Sequence, residues 1–426
     1  MTGDVARTVE AVWRLESARV VGGLTRMLRD VGLAEELAQD ALLAALETWP
    51  RSGVPDNPGA WLMTTAKRRA IDRLRHHQLQ ARKHEQLAAD GELQQALDDG
   101  PEAAADDHVG DDVLRLVFIA CHPLLSTDAQ VALTLRLLGG LTTDEIARAF
   151  LVPEPTIAQR IVRAKRTLGE AKVPFELPRG EDLAARLASV LAVLYLVFNE
   201  GYAATAGEHW TRPALCEEAL RLGRILAGLM PGEAEVHGLV ALMELQASRL
   251  PARAHPDGAP IPLLEQDRAR WDRLLIGRGL AALERAQRLG APGPYALQAE
   301  IAACHARAAR AEDTDWARIA ALYAQLAART PSPVIELNRA VAVAMAEGPA
   351  AGLALVDALA DAPALQRYHL LPAVRGDLLA KLQRHDEARA EFERAASLTR
   401  NAREQAVLAA RAEAAARAAA TVAAGT

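Results

Sequence analysis

Hydrophobic residues in this chain recur every three to four positions, and no stretch alternates between apolar and polar residues as a strand would. Three blocks of this pattern, separated by short breaks, cover residues 1–85, 113–172 and 181–420. The pattern predicts an all-α fold. Two small helical domains are followed by a long domain rich in alanine and leucine.

The breaks differ in charge. Residues 86–112 carry nine Asp or Glu and no Lys or Arg, with several glycines. A one-signed segment of this kind predicts a solvated, acidic linker between the two small domains. Residues 173–180 contain proline and form only a short joint, so we expect the long domain to follow the second small domain closely.

The first block ends in an amphipathic helix with a basic outer face, residues 61–75. Arginine and threonine on such a face suit backbone phosphates, and an exposed tryptophan suits an unstacked base. The alternative is an ordinary helix whose basic face is merely solvated. The candidate nucleic-acid contacts on this face are Trp61, Thr64, Thr65, Arg68 and Arg75.

An earlier amphipathic helix in the same block, residues 33–46, has an acidic outer face. Its apolar stripe is predicted to point inward, which leaves Glu35, Glu36, Gln39 and Asp40 outside. Such a face either binds a partner protein or only keeps the helix soluble.

The second block contains the pattern of a helix-turn-helix. Thr142 to Glu145 is a capping box that starts one helix, and Leu151-Val152-Pro153 ends it. The next helix places polar residues on one outer arc, and arginine and glutamine are side chains that read guanine and adenine edges. The alternative is a helical hairpin with a solvated basic face. The candidate DNA-binding residues are Thr156, Gln159, Arg160, Arg163 and Arg166.

Taken in order, these segments resemble bacterial group-four, extracytoplasmic-function sigma factors. The run from Trp61-Leu62 to Ile71-Asp72-Arg73-Leu74-Arg75 resembles their −10-reading region, and Leu37-Ala38-Gln39-Asp40 resembles the helix that docks on polymerase. Leu141 through Leu168 resembles their −35-reading region, although the turn has Leu151 where relatives often have glycine.

The resemblance implies a non-enzymatic sigma factor that binds core RNA polymerase and promoter DNA. It implies that Glu36, Gln39 and Asp40 contact polymerase, that the loop at Asn57 holds a flipped base, and that the acidic linker enters the RNA path of polymerase. The alternative is a stand-alone helix-turn-helix regulator with a helical-repeat sensor domain, which leaves residues 61–75 unexplained.

The long domain shows weak internal repetition. Gly376, Ala388, Phe392 and Ala395 have the spacing of a tetratricopeptide-like unit, in which small residues let two helices approach and an aromatic fills the gap. An irregular helical bundle is the alternative. Stacked hairpins offer a concave surface, so we expect this domain to regulate the DNA-reading domains in cis, with an unknown protein or peptide as a possible partner.

Composition and charge limit the kinds of DNA contact, metal site and membrane contact that the chain can have. The net charge of −6 confines any DNA contact to local patches. Cys121, Cys216 and Cys304 are too scattered for a disulfide framework or a zinc site, and no metal, cofactor or catalytic residue is predicted. The scattered Glu200, Tyr202, His209 and His237 are interpreted as structural. Without a signal peptide or a long apolar run, we expect a cytoplasmic protein with no membrane contact.

Overall fold

The computed structural model describes residues 2–82, 105–204, 206–256 and 258–425. These residues form helices, short 3-10 turns and one pair of two-residue strands, so the predicted all-α class is confirmed. The chain divides into two compact units, residues 1–194 and 195–426. Residues 86–104 of the predicted acidic linker, residues 86–112, lie outside the described residues.

The first three helices form one small domain. They are α1 (Thr2–Leu28), α2 (Val31–Ser52) and α3 (Pro58–Arg82). Asp30 starts α2 by accepting hydrogen bonds from the backbone N–H groups of Gly32 and Leu33. Leu24, Ala38 and Leu62 are buried between the helices, so the apolar stripes predicted from the sequence form this core.

Four further helices form the second small domain of the same unit. They are α4 (Ala105–Ala120), α5 (Thr127–Leu137), α6 (Thr143–Phe150) and α7 (Glu154–Glu170). Helix α4 begins at Ala105, within the residues that the sequence predicted as linker. The predicted capping box is present at α6, where Thr142 and Glu145 exchange side-chain-to-backbone hydrogen bonds.

The turn between α6 and α7 contains a strained residue. Leu151 has a φ of 51° and a ψ of 42°, the left-handed conformation that usually belongs to glycine at the end of a helix. Its side chain is 53% exposed and therefore contributes little to the core. The backbone N–H of Leu151 donates to the carbonyls of Ala147 and Arg148, so this conformation closes the end of α6.

The second unit continues from α8 (Glu181–Tyr202), which contains the point of division. Its other helices are α9 (Pro213–Leu229), α10 (Ala234–Ala247), α11 (Arg273–Leu289), α12 (Pro294–Arg307), α13 (Trp316–Arg329), α14 (Pro333–Glu347), α15 (Pro349–Asp357), α16 (Leu370–Lys381), α17 (His385–Leu398) and α18 (Ala402–Gly425). Consecutive helices pack as antiparallel hairpins along most of this unit.

The hairpin of α16 and α17 shows why the repeat pattern predicts close packing. A Cβ at Gly376 would lie 2.9 Å from the ring of Phe392, so only glycine fits there without a shift of the ring. Ala388 and Ala395 are fully buried on the facing side of α17. The predicted small-and-aromatic packing of this hairpin is therefore confirmed.

Asn401 ties the end of the second unit to its beginning. Strand β2 (Arg400–Asn401) pairs in parallel with β1 (Ala206–Gly207). The buried side-chain amide of Asn401 donates hydrogen bonds to the carbonyls of Ala204 and His209, at 3.1 and 3.0 Å. The last helix is thus anchored to the segment that follows α8.

We predict that Leu151→Gly stabilises the helix-turn-helix by about 0.5–1 kcal/mol. The change removes a left-handed conformation that costs a non-glycine residue about 1–2 kcal/mol, which exceeds the entropic cost of glycine, about 0.5–1 kcal/mol. Urea unfolding of the full chain, monitored by hydrogen exchange in α6 and α7, measures the change in stability of the helix-turn-helix. Arg148→Gly, inside α6, is the matched control and should destabilise by about 1 kcal/mol. A Leu151→Gly variant that loses as much as this control contradicts the assignment of strain.

We also predict that the second unit loses stability as the pH falls below 6.5. His305 is buried against Trp316, and burial, helped by the charges of Arg249 and Arg268, lowers the pKa of His305 to about 3. The unfolded chain binds a proton at His305 below about pH 6.5 and the folded chain does not, so acid favours unfolding. Between pH 7 and pH 5 this histidine should remove about 2 kcal/mol from the free energy of unfolding.

Urea denaturation at the two pH values, followed by circular dichroism, measures this loss. The pH dependence should be smaller in His305→Gln by that amount. Equal losses in the wild type and the variant would show that His305 titrates alike in both states.

Candidate nucleic-acid interface

Helix α7 presents the outer face that the sequence predicted. Ile157, Ile161, Ala164 and Leu168 are buried against α5 and α6. The structure places all five candidate residues off this stripe: Gln159, Arg163 and Arg166 are exposed, and Thr156 and Arg160 are half-buried. An amphipathic helix with one side free is the arrangement by which a helix-turn-helix enters the major groove.

The five residues differ in their partners. Arg160 lies 2.9 Å from the carboxylate of Asp128 at the start of α5, and Arg166 lies 3.5 Å from Glu170 on its own helix. Gln159 and Arg163 make no side-chain hydrogen bond or ion pair among the described residues. Gln159 and Arg163 can bind a ligand without first breaking a contact. Arg160 must first break its ion pair with Asp128.

Trp61 on α3 is less exposed than the sequence predicted. Its ring meets that of Trp49 edge-on, with centroids 5.4 Å apart and planes at 69°. Trp49 is only 1% exposed, so it supports Trp61 from the core side. Thr64 and Thr65 are likewise half-buried, while Arg68 and Arg75 are exposed. The face is therefore a supported aromatic ring flanked by two free guanidinium groups.

Asn57 has a structural task in the loop before α3. Its Oδ1 accepts a hydrogen bond from the N–H of Ala60 at 3.0 Å, so Asn57 caps the start of α3. The cap uses the carbonyl oxygen and leaves the side-chain NH2 as the group that could meet a base.

The acidic face of α2 holds the three candidate polymerase contacts. Glu36 is exposed, and Asp40 lies 3.7 Å from Arg69 of α3. Gln39 donates a hydrogen bond to Glu35. Positions 36, 39 and 40 share one side of a helix, so their side chains form a single polar surface.

Glu35 corrects the sequence analysis, which placed it on the exposed acidic face. It is 5% exposed, and its two carboxylate oxygens bind cations from the second small domain. Oε1 accepts a hydrogen bond from Arg136 of α5 at 2.8 Å, and Oε2 accepts one from Lys165 of α7. Neither the burial of Glu35 nor its pairing with Arg136 and Lys165 was predicted, because these partners lie 101 and 130 positions from Glu35 in the sequence.

Two further ion pairs join the small domains. Arg26 binds Asp112 at 2.9 Å, and Arg14 binds Glu145 at 2.8 Å. Asp112 is buried, and this burial raises the pKa of its carboxyl above the ordinary value although Arg26 lowers it. The backbone also approaches closely, since a Cβ at Gly140 would lie 2.8 Å from the hydroxyl of Ser17. Within the first unit, the two small domains are therefore held against each other.

Two further kinds of feature, metal-ligand clusters and membrane-spanning helices, are absent from the described ranges. No group of His, Cys, Asp and Glu there could hold a metal ion. No described helix has the length and apolar character needed to cross a membrane.

Comparison with known families matches three parts of the chain. Residues 13–80 match Sigma-70 region 2, and residues 115–168 match Sigma-70, region 4. Residues 186–287 match a family of unknown function, DUF6596. The first two matches fall on the two small domains and the third begins in α8.

Individual proteins are also similar to this chain in sequence. An uncharacterised protein of Rhizobium meliloti (strain 1021) is 46% identical over 400 residues, which is 92% of this chain and 93% of that protein. The ECF RNA polymerase sigma factors SigK of Mycobacterium ulcerans (strain Agy99) and Mycobacterium tuberculosis (strain ATCC 25177 / H37Ra) are both 32% identical, over 35% of this chain and 78% of their own length. No solved structure matches the chain. The chain belongs to the extracytoplasmic-function RNA polymerase sigma factors and carries a long C-terminal helical extension.

Proposed function

We propose that this sigma factor reads promoters with the faces described above, that its two small domains must separate to do so, and that the C-terminal domain regulates it in cis. The chain acts in the cytoplasm as a polymerase subunit without catalysis of its own. The observation that carries the proposal is Glu35, a buried carboxylate that joins the polymerase-docking helix α2 to the DNA-reading helix α7.

Base reading at the −35 element is assigned to the exposed arc of α7. Gln159 and Arg163 have free side chains there, and such groups recognise adenine and guanine edges. Thr156 and Arg160 lie on the same arc. Arg160 binds DNA after its ion pair with Asp128 breaks. Arg166, nearer the end of the helix, is placed to bind a phosphate.

Strand opening at the −10 element is assigned to α3. Trp61, supported by Trp49, offers a ring face to an unstacked base, which is worth about 1–3 kcal/mol. Arg68 and Arg75 hold the backbone of that strand, and Thr64 and Thr65 line the surface between. The side-chain NH2 of Asn57 meets the flipped base at the start of the helix.

Polymerase docking is assigned to Glu36, Gln39 and Asp40 on α2. Gln39 bonds to Glu35, and Glu35 bonds to Lys165 of α7. The contact between the two small domains therefore abuts the docking surface, and release of Glu35 leaves Gln39 free to meet polymerase.

We infer that this contact breaks when the promoter is bound. Elements centred at −10 and −35 are about 25 base pairs apart, on the order of 80 Å along B-form DNA. The two small domains pack directly against each other at Glu35 and Arg136, whose side chains are 2.8 Å apart. We therefore propose that the described arrangement is a closed form.

Arg166 and Gln159 separate phosphate binding from base reading. We expect Gln159→Ala to lose about 1–3 kcal/mol at one position of the −35 element, about 5- to 150-fold. Arg166→Ala should weaken all promoter sequences alike and lower the salt dependence of binding. Transcription from a promoter library randomised at −35 measures both, with Arg148→Ala on α6 as the control. A Gln159→Ala variant with unchanged preference contradicts the assigned face.

Removal of the Glu35 carboxylate should favour the open form. Hydrogen bonds to a charged group contribute about 1.5–3 kcal/mol each, so Glu35→Gln should raise the rate of holoenzyme formation at limiting polymerase roughly 10-fold or more. Arg136→Gln should act in the same direction, and Glu47→Gln, an exposed change on α2, should have no effect. Stopped-flow binding to core polymerase measures the rates. A slower Glu35→Gln variant with normal circular dichroism would refute the closed form.

The C-terminal domain is tested by truncation after Leu194. The cut follows the division between the units because Arg186 and Ser189 of α8 bind the carbonyls of Phe118 and Cys121 in the first unit. We expect transcription output to change while the chosen promoter sequence stays the same, because every base-reading residue remains. Run-off transcription with purified polymerase and mapping of transcript starts give the two readouts. Unaltered output would exclude regulation in cis.

A further inference from the structure

Three arginines of the second unit are buried or half-buried and lack acidic partners. Arg249, Arg253 and Arg268 form no ion pair among the described residues. Arg268 is explained structurally, because it donates to the carbonyls of His305 and Ala308 at 2.7 and 2.8 Å and so caps the end of α12. Arg253 has one such bond, to the carbonyl of Tyr202 at the end of α8, and the side chain of Arg249 makes no hydrogen bond of this kind among the described residues.

Arg249 and Arg253 converge on one aromatic ring. Their guanidinium carbons lie 5.6 and 3.6 Å from the ring centroid of Tyr202, and that of Arg253 also lies 5.4 Å from Trp210. Arg253 donates to the carbonyl of Tyr202 at 3.0 Å. The Nε atoms of both arginines are buried and have no hydrogen-bond partner among the described residues. Aromatic faces attract these cations but do not neutralise them.

Three described acidic side chains near this site, Glu200, Glu235 and Glu244, bind other groups. Glu200 binds Arg212, and Glu244 binds Arg224 at 2.8 Å. Glu235 accepts hydrogen bonds from the backbone N–H groups of Tyr295 and Ala296 at the start of α12, at 2.8 and 3.2 Å. Arg249 and Arg253 are half-buried and have no acidic partner among the described residues, so together they form a positive site on the second unit.

The titration of neighbouring groups agrees with a positive potential. Burial, together with the nearby charge of Arg249, lowers the pKa of Arg253. The charge of Arg249 also contributes to the lowered pKa of His305.

We propose that Arg249 and Arg253 bind the oxyanion group of a small ligand, a carboxylate or a phosphate, beside the ring of Tyr202. A guanidinium presents paired donors that match either oxyanion, and Tyr202 and Trp210 suit a planar part of the same ligand. Tyr195, whose hydroxyl donates a hydrogen bond to Gln298 at 3.3 Å, adds a polar group near Arg249. The site lies within the residues that match the family of unknown function and is separate from the promoter-reading faces.

Hydrogen exchange of the full chain, read by mass spectrometry, tests this site with simple probes. Sodium phosphate and sodium succinate are compared with sodium chloride at equal ionic strength. We expect one of the two oxyanions to slow exchange at least threefold in residues 195–204 and 245–254, and the preferred anion distinguishes a phosphate ligand from a carboxylate ligand. Arg249→Gln should abolish this protection, while Arg288→Gln, at an arginine that is 70% exposed on α11, should retain it.

Arg249→Gln also separates binding from a merely structural role. If the two cations repel each other without an anion, the variant in chloride should exchange no faster than the wild type and should melt about 2–4 °C higher. A structural arginine would instead give faster exchange and a lower melting temperature in every buffer. Protection by neither anion in the wild type, or an equal loss of stability in all three salts, overturns the proposal.

Discussion

The arrangement of the first unit depends on a buried carboxylate with cations on two sides. Glu35 binds Arg136 and Lys165 in a place from which water is largely excluded. Removing one partner of such a group leaves a buried charge unpaired, which costs about 3–5 kcal/mol, whereas separating the domains returns all three groups to water. The contact therefore fixes the two domains relative to each other, and the proposed opening returns its charges to water.

The surfaces around this contact follow from the same charge distribution. The chain has a net charge of −6, yet the outer arcs of α3 and α7 carry arginines whose side chains point to solvent. Local patches of this kind bind a polyanion through phosphate contacts even when the whole molecule is acidic. Arg160 and Arg166 pair with Asp128 and Glu170 of their own domain, and the proposed DNA binding replaces these carboxylates with phosphates and base edges.

Local features could be predicted from the sequence, and contacts between distant segments could not. The capping box at Thr142, the outer arc of α7 and the close approach of Gly376 to Phe392 each depend on residues within one or two helices. The burial of Glu35, the support of Trp61 by Trp49 and the anchoring of Asn401 to Ala204 depend on the tertiary fold. A helical wheel assigns a polar residue to the solvent-facing side unless a binding partner elsewhere in the sequence is known.

We propose that the two small domains separate before the sigma factor binds the promoter. Energy transfer between dyes at the exposed Thr48 of α2 and Glu170 of α7 reports this separation directly. We predict efficient transfer in the free full-length protein and its near-complete loss in the complex with core polymerase and promoter DNA, where the domains lie on the order of 80 Å apart. Equal transfer in the free and promoter-bound states would contradict the account.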